Sequence, residues 1–201
     1  MASIPAAHHG WYPKRSYTFR LFIRDIVTVI RCGMTKMSTS ISPGFAERIM
    51  LAVTGVNGCR YCSWIHTRLA LEAGCSDREI AAILGSQFDG AERDELVALA
   101  FAQHYAETQG KPEKQAIQRL VHAYGVQKSK AILQCIYGIT VGNYMGNTLD
   151  AFRSRLKKIP PEHGSLWVEF LVFLIGRPVV TAFGLLKLTG TGDVKTKPMT
   201  R

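Results

Sequence analysis

Two cysteines and a histidine fall three and four residues apart in the run "GCRYCSWIHTRLALEAG", residues 58–74: Cys59, Cys62 and His66. On an α-helix those spacings share one face. The run reads as a helix that starts at about Cys59 and ends at Gly74. A helix start presents unpaired N–H groups and the positive end of the dipole, and both favour an anion. Thiols placed there ionise more readily, and the thiolate is the reactive species. A Cys-x-x-Cys in that position also suits a reversible disulfide. His66, one turn beyond Cys62, can accept or relay a proton. Two other uses of the same residues stay open on spacing alone. Zinc could take Cys59, Cys62 and His66, with Glu47 or Cys75 as a fourth ligand. Structural zinc sites usually draw on two separated ligand pairs, however, and no second pair stands in the sequence. The cysteines could also be packed thiols, since free cysteine is often buried.

The element just upstream carries the residue that favours redox chemistry. In "TSISPGFAERIMLAVTGVNG", Ser42 fits an N-cap, Pro43 the first helical position, and Asn57-Gly58 the helix end. On that helix Glu47 shares a side with Pro43, Met50, Leu51 and Thr54, away from a polar edge of Gly44, Arg48 and Gly55. A carboxylate on a largely apolar side needs a partner or a raised pKa. If the two helices pair across the Asn57-Gly58 turn, Glu47 reaches the thiol–imidazole cluster directly or through water. That would make a proton relay.

Glu47, eleven residues, Cys59, two, Cys62, three, His66: this pattern resembles the alkylhydroperoxidase D family, part of the wider carboxymuconolactone decarboxylase superfamily. The capping-box helix after Gly74, the run "ERDELVALAFAQHYAE" and the late "GNYMGNTLDAF" are similar to the superfamily's core, so the resemblance spans about residues 40–155. It implies an all-helical homo-oligomer, a trimer or hexamer, and a thiol-dependent peroxidase or disulfide reductase with no cofactor beyond its dithiol. Carried over by position, Cys62 would attack a hydroperoxide and become a sulfenic acid. Cys59 would resolve it to a Cys59–Cys62 disulfide, and Glu47 and His66 would move protons. An external dithiol or a disulfide-reducing partner protein would restore the thiols. Members of that family often carry a second histidine just before the later cysteine. Tyr61 stands there instead; it cannot serve as a base near neutral pH, and it is kept as an auxiliary site residue. The superfamily also implies a second activity, a cofactor-free lactone decarboxylase, for which a dithiol is not required. A third possibility is a non-catalytic protein that uses its basic ends and apolar C-terminal segment on a membrane surface or a partner.

The rest of the chain must hold these residues in place. Of 201 residues, 47% are apolar and 20% charged, a globular composition. Helical periodicity dominates, so the expected fold class is all-α, a multihelical bundle with added helical extensions. The expected organisation is an N-terminal helical extension (1–37), a core (38–156), and an apolar C-terminal helix with a flexible tail (157–201). Leu21, Phe22, Ile26, Val29 and Ile30 form an apolar stripe on a first helix. Ser76 and Glu79 form a capping box. Residues 91–110 read as one amphipathic helix and 112–125 as another. A long helix follows to 156, with Gly138, Gly142 and Gly146 near one face and open to close packing.

Five cysteines, an odd and sparse set, do not make a secreted disulfide framework, and the N-terminus lacks the apolar run of a secretory signal. The expected location is the cytoplasm. The net charge of +10 admits a polyanion, an anionic membrane or an acidic partner protein. Without zinc-finger or RNA-binding signatures it is read mainly as solvated surface, not as a nucleic-acid interface. Residues 167–188 are apolar, but Glu169, Arg177 and Pro178 interrupt them, so a buried or subunit-interface helix is expected over a membrane span. Cys32 and Cys135 read as core thiols and Cys75 as a loop cysteine. His104 and His122 read as helix residues without partners, Asn143 and Asn147 as ties between helices, and His8-His9 as terminal decoration.

Overall fold

The computed structural model describes residues 14–32, 40–88, 91–159 and 164–174. The protein is all-α: α1 (Phe19–Cys32), α2 (Pro43–Asn57), α3 (Arg60–Glu72), α4 (Asp77–Leu84), α5 (Leu96–Glu107), α6 (Lys114–Leu156) and a last described helix, α7, over 166–174. The side chain of Cys32, His8-His9, the linker at 160–163, residues 175–188 of the apolar segment and the tail from Gly190 lie outside the described residues. Among the described residues no helix is long and apolar enough to cross a membrane.

Helix α2 is the axle of the bundle, packed against α3, α4, α5 and α6. Its ends form as the local chemistry requires. The Ser42 hydroxyl accepts the Phe45 N–H at 3.2 Å, Pro43 sits in the first turn, and Gly58 turns left-handed (φ 68°) with its N–H on the Thr54 carbonyl at 2.9 Å. The polar edge expected for α2 does not face solvent. At Gly55 a Cβ would lie 2.7 Å from the Leu84 carbonyl oxygen, so only glycine lets α2 approach the end of α4 this closely. Arg48 on the same edge forms a two-pronged pair with Glu95, Nε to Oε2 at 2.6 Å and Nη2 to Oε1 at 2.7 Å. Its Nη1 donates to Cys75 Sγ at 3.3 Å and lies 3.4 Å from Glu79 Oε1. Four side chains thus tie α2 to α4 and to the turn before α5. Ser76 caps α4 as expected, its hydroxyl accepting the Glu79 N–H at 3.2 Å. Cys75, expected to be a loop thiol, is buried beside Arg48, and burial raises its pKa.

Two later boundaries are set by particular residues, and the first of them differs from expectation. Helix α5 begins at Leu96 and not near Ala91, because Tyr124 from α6 reaches over its start. The Tyr124 hydroxyl donates to the Asp94 carbonyl at 2.6 Å and accepts the Ala98 N–H at 3.2 Å. Helix α6 is two helical stretches joined at Gly125, whose backbone (φ 70°, ψ 171°) is open to glycine and not to L side chains. The break falls where the sequence placed the end of one helix and the start of the next.

Among the described side chains of α1, Phe22 and Asp25 are buried, while Ile26, assigned to the buried stripe, is 39% exposed; the side chains of Val29 and Ile30 lie outside the described residues. Asp25 is accommodated by Arg24 Nε at 2.8 Å and the Tyr17 hydroxyl at 3.2 Å. Tyr17 stacks on Tyr144 of α6, fixing the start of the described chain to the bundle. Helix α7 buries Val168 and Val172 and sets Glu169 against Arg155 at 2.7 Å.

Candidate active site

The tight turn after α2 delivers Cys59 to the start of α3. Asn147 of α6 secures that turn, donating from Nδ2 to the Asn57 carbonyl at 2.8 Å and to the Arg15 carbonyl at 3.1 Å. One turn earlier on α6, Asn143 accepts from the Thr54 hydroxyl at 3.2 Å, so both asparagines tie α6 to α2.

Cys59 is the N-cap of α3, and its sulfur accepts the Cys62 N–H at 3.3 Å. The two sulfurs lie 2.8 Å apart, hydrogen-bonding distance and longer than a disulfide; both cysteines are free thiols. The pair shares its protons unequally. The hydrogen bond with the Cys62 thiol, joined by the backbone N–H groups of Cys62 and Tyr61, lowers the Cys59 pKa despite its burial. Cys62 is pushed far upward, first by holding the proton for Cys59 and then by burial. Of the two, Cys59 ionises the more readily and Cys62 keeps its proton. Access runs the other way: Cys59 is fully enclosed, whereas Cys62 is 8% exposed.

Glu47 and His66 form a second pair, His66 Nδ1 to Glu47 Oε2 at 2.7 Å, both side chains nearly buried. Among the described residues no hydrogen bond joins this pair to the sulfurs. The helix pairing therefore brings Glu47 to the imidazole and sets both beside the dithiol on α3. Cys135 of α6 lies in the core close to Glu47; burial and that carboxylate push its thiol up to about 11, so it stays protonated. Among the described residues no three His, Cys, Asp or Glu side chains come together as metal ligands, and Cys75 is engaged by Arg48.

Among the described residues no hydrogen bond joins Tyr61 to the imidazole. Its hydroxyl donates to Asp150 at 3.2 Å and accepts from Arg60 at 2.8 Å and Arg153 at 3.4 Å. Arg60 also bonds Asp150. Asp150, Arg60 and Arg153 were not candidates on sequence, because partners 90 residues apart leave no local signal.

Gly146 had a signal of a different kind. The glycines of α6 indicated close packing, and the structure shows against what. A Cβ at Gly146 would lie 2.7 Å from Cys59 Sγ and 3.8 Å from Cys62 Sγ; at Gly142 it would lie 3.9 Å from Cys62 Sγ. The dithiol is roofed by glycine backbone. Gly146→Ala is expected to fold, because the only severe clash is with one rotatable sulfur. That sulfur must swing away from the Cys62 N–H and from Cys62 Sγ. Disulfide formation, read by quenched intact mass after oxidant addition, is expected to slow about tenfold or more. The melting temperature should fall by only about 2–4 °C per kcal/mol of added strain.

Residues 28–104 match the model of the carboxymuconolactone decarboxylase family. The match runs from α1 to near the end of α5, so it takes in Glu47, Cys59, Cys62 and His66. It starts earlier and stops sooner than the span 40–155 suggested by resemblance, leaving α6 outside it. No curated protein and no solved structure matches the chain.

Proposed function

We propose that this chain, whose residues 28–104 match the model of the carboxymuconolactone decarboxylase family, is a thiol-dependent hydroperoxidase or disulfide oxidoreductase of the alkylhydroperoxidase D type. The observation that carries this is the pair of sulfurs 2.8 Å apart at the N-terminus of α3. A lactone decarboxylase has no use for such a pair.

The chemistry balances with the groups present. The pair holds one mobile proton between its sulfurs. When it shifts from Cys62 to Cys59, Cys62 becomes the accessible thiolate. Its sulfur attacks the terminal, hydrogen-bearing oxygen of the hydroperoxide, the O–O bond breaks, and Cys62 becomes a sulfenic acid. The departing alkoxide takes the proton held on Cys59 and leaves as the alcohol, which frees the Cys59 thiolate. Cys59, whose thiolate the helix start stabilises, then attacks the Cys62 sulfur. Water leaves and the disulfide forms. Two thiols and one hydroperoxide become one disulfide, one alcohol and one water. The Glu47–His66 pair, one turn along α3 from Cys62, serves as the proton reservoir. A dithiol reductant then returns two electrons and two protons. Self-association into a trimer or hexamer belongs to the same proposal and is supported by Ile65, Leu69 and Leu71, exposed along α3.

The test is hydroperoxide consumption by the full-length protein with excess dithiothreitol, against a blank without protein. Catalytic turnover is expected. Disulfide formation without peroxide turnover would make the protein a disulfide oxidoreductase, and neither would end the proposal.

A further inference from the structure

Next to the dithiol, two cations pair with one carboxylate and a third reaches the tyrosine hydroxyl bonded to it. Lys14 Nζ lies 3.1 Å from Asp150 Oδ2, Arg60 bonds Asp150 Oδ1, and Arg153 reaches the Tyr61 hydroxyl. Asp150 lies beneath them, its side chain 12% exposed, while those of Lys14 and Arg60 are 58% and 59% exposed. Three positive charges over one negative leave about +2 at the surface. The guanidinium of Arg60 is set in place by Asp150 and by the Tyr61 ring, 4.8 Å from its centroid. The edge of that ring adjoins the dithiol. The position a Gly146 Cβ would take is 3.7 Å from Tyr61 Cδ2 and 2.7 Å from Cys59 Sγ. One turn along α3 from Arg60, Trp64 is 38% exposed. Arginine, tyrosine and tryptophan are the side chains that most often anchor protein interfaces.

We infer that this face docks an acidic protein that carries the reducing dithiol, so that Arg60, Arg153 and Lys14 select the partner and Tyr61 forms the edge across which thiols exchange. This rests on the redox function proposed above. The partner's thiolate attacks Cys62, the accessible sulfur of the disulfide, and Cys59 leaves as the thiolate its capping position stabilises. The partner's second thiolate then attacks its own sulfur in the mixed disulfide and releases Cys62. The partner loses two electrons and two protons and becomes a disulfide; the electrons and protons reduce Cys59 and Cys62. An exposed, cationic, aromatic face fits a protein surface better than a small molecule, and the overall charge of +10 steers an acidic partner toward it.

The full-length protein is oxidised with diamide, freed of oxidant, and its reduction followed by intact mass. Four reductants are compared: dithiothreitol, dimercaptosuccinate, and Cys-x-x-Cys peptides flanked by glutamates or by lysines. At low salt the acidic peptide is expected to react roughly tenfold faster than the basic one. The advantage should shrink as added salt shortens the screening length. Arg60→Glu/Arg153→Glu should reverse the preference, and Lys14→Glu should weaken it. Equal rates for the two peptides in the parent would overturn the proposal, as would an acidic advantage that survives charge reversal. Dimercaptosuccinate matching the acidic peptide, relative to dithiothreitol, would overturn it in favour of a small-anion site. If diamide forms no Cys59–Cys62 disulfide, the redox function itself has failed and the docking face falls with it. A disulfide reduced without charge preference removes the docking face alone.

Discussion

Cys62→Ser and Cys59→Ser will each reduce hydroperoxide turnover by at least ~10³-fold, and they will fail at different steps. Without Cys62 the accessible sulfur is gone, and hydroperoxide should leave the protein mass unchanged. Without Cys59 the first step survives, but nothing resolves the sulfenic acid. Cys62 should then gain one oxygen and, with excess peroxide, two. The reverse pattern, oxygen on Cys59 in Cys62→Ser and none in Cys59→Ser, would move the attacking role to Cys59. Both assignments have a physical basis here: Cys59 has the lowered pKa, and Cys62 is the less enclosed of the two. Ultraviolet thiolate absorbance, which needs no access to the sulfur, separates them. One thiolate should appear below the pH at which an ordinary thiol ionises, because the Cys59 pKa is lowered. Cys62→Ala removes the leading hydrogen-bond partner of that sulfur and should move its ionisation to higher pH.

Glu95→Ala is expected to be the most damaging single change away from the dithiol, costing about 3–5 kcal/mol of stability. Arg48 is almost buried, and Glu95 supplies both prongs of its carboxylate contact. Removing Glu95 leaves that guanidinium with Glu79 at 3.4 Å and the Cys75 thiol. The pair also fixes the register of α2, so Glu47, the next residue, shifts with Arg48. In a chain of this size the melting midpoint should drop by roughly 6–20 °C. Arg48→Met/Glu95→Leu should lose less than Glu95→Ala, since no buried charge is then left unpaired. If denaturant unfolding gives equal or larger loss for the double variant, the staple acts through packing and not through charge.

What the sequence shows of this protein follows from the range of each interaction. The caps at Ser42, Gly58 and Ser76 depend on neighbours within a turn, and they read directly from residue type. The Glu47, Cys59, Cys62 and His66 spacing reads through the helical period and one short turn. The break at Gly125 is legible because few other residues adopt its backbone. The contacts that finish the site join distant segments. Arg48 read only as part of a polar edge of α2; its partners Glu95 and Cys75 lie 47 and 27 residues away. Tyr124 shortens α5 from another helix, and Asp150 of α6 bonds Arg60 and Tyr61. Gly146 signalled close packing without showing that its neighbour is Cys59 Sγ. Tyr61, chemically odd at its place between the cysteines, proves to belong to the cationic face and not to the Glu47–His66 pair.

The most direct test is intact mass and peptide mapping of the fully reduced protein after one equivalent of hydroperoxide, quenched by a thiol alkylator. Loss of two hydrogens, mapped to a bond between Cys59 and Cys62, with Cys75 and Cys135 still alkylated after unfolding, is the predicted result. A protein in which Cys59 and Cys62 remain free, or in which oxidation maps to Cys75 or Cys135 instead, would contradict a dithiol redox centre at the start of α3.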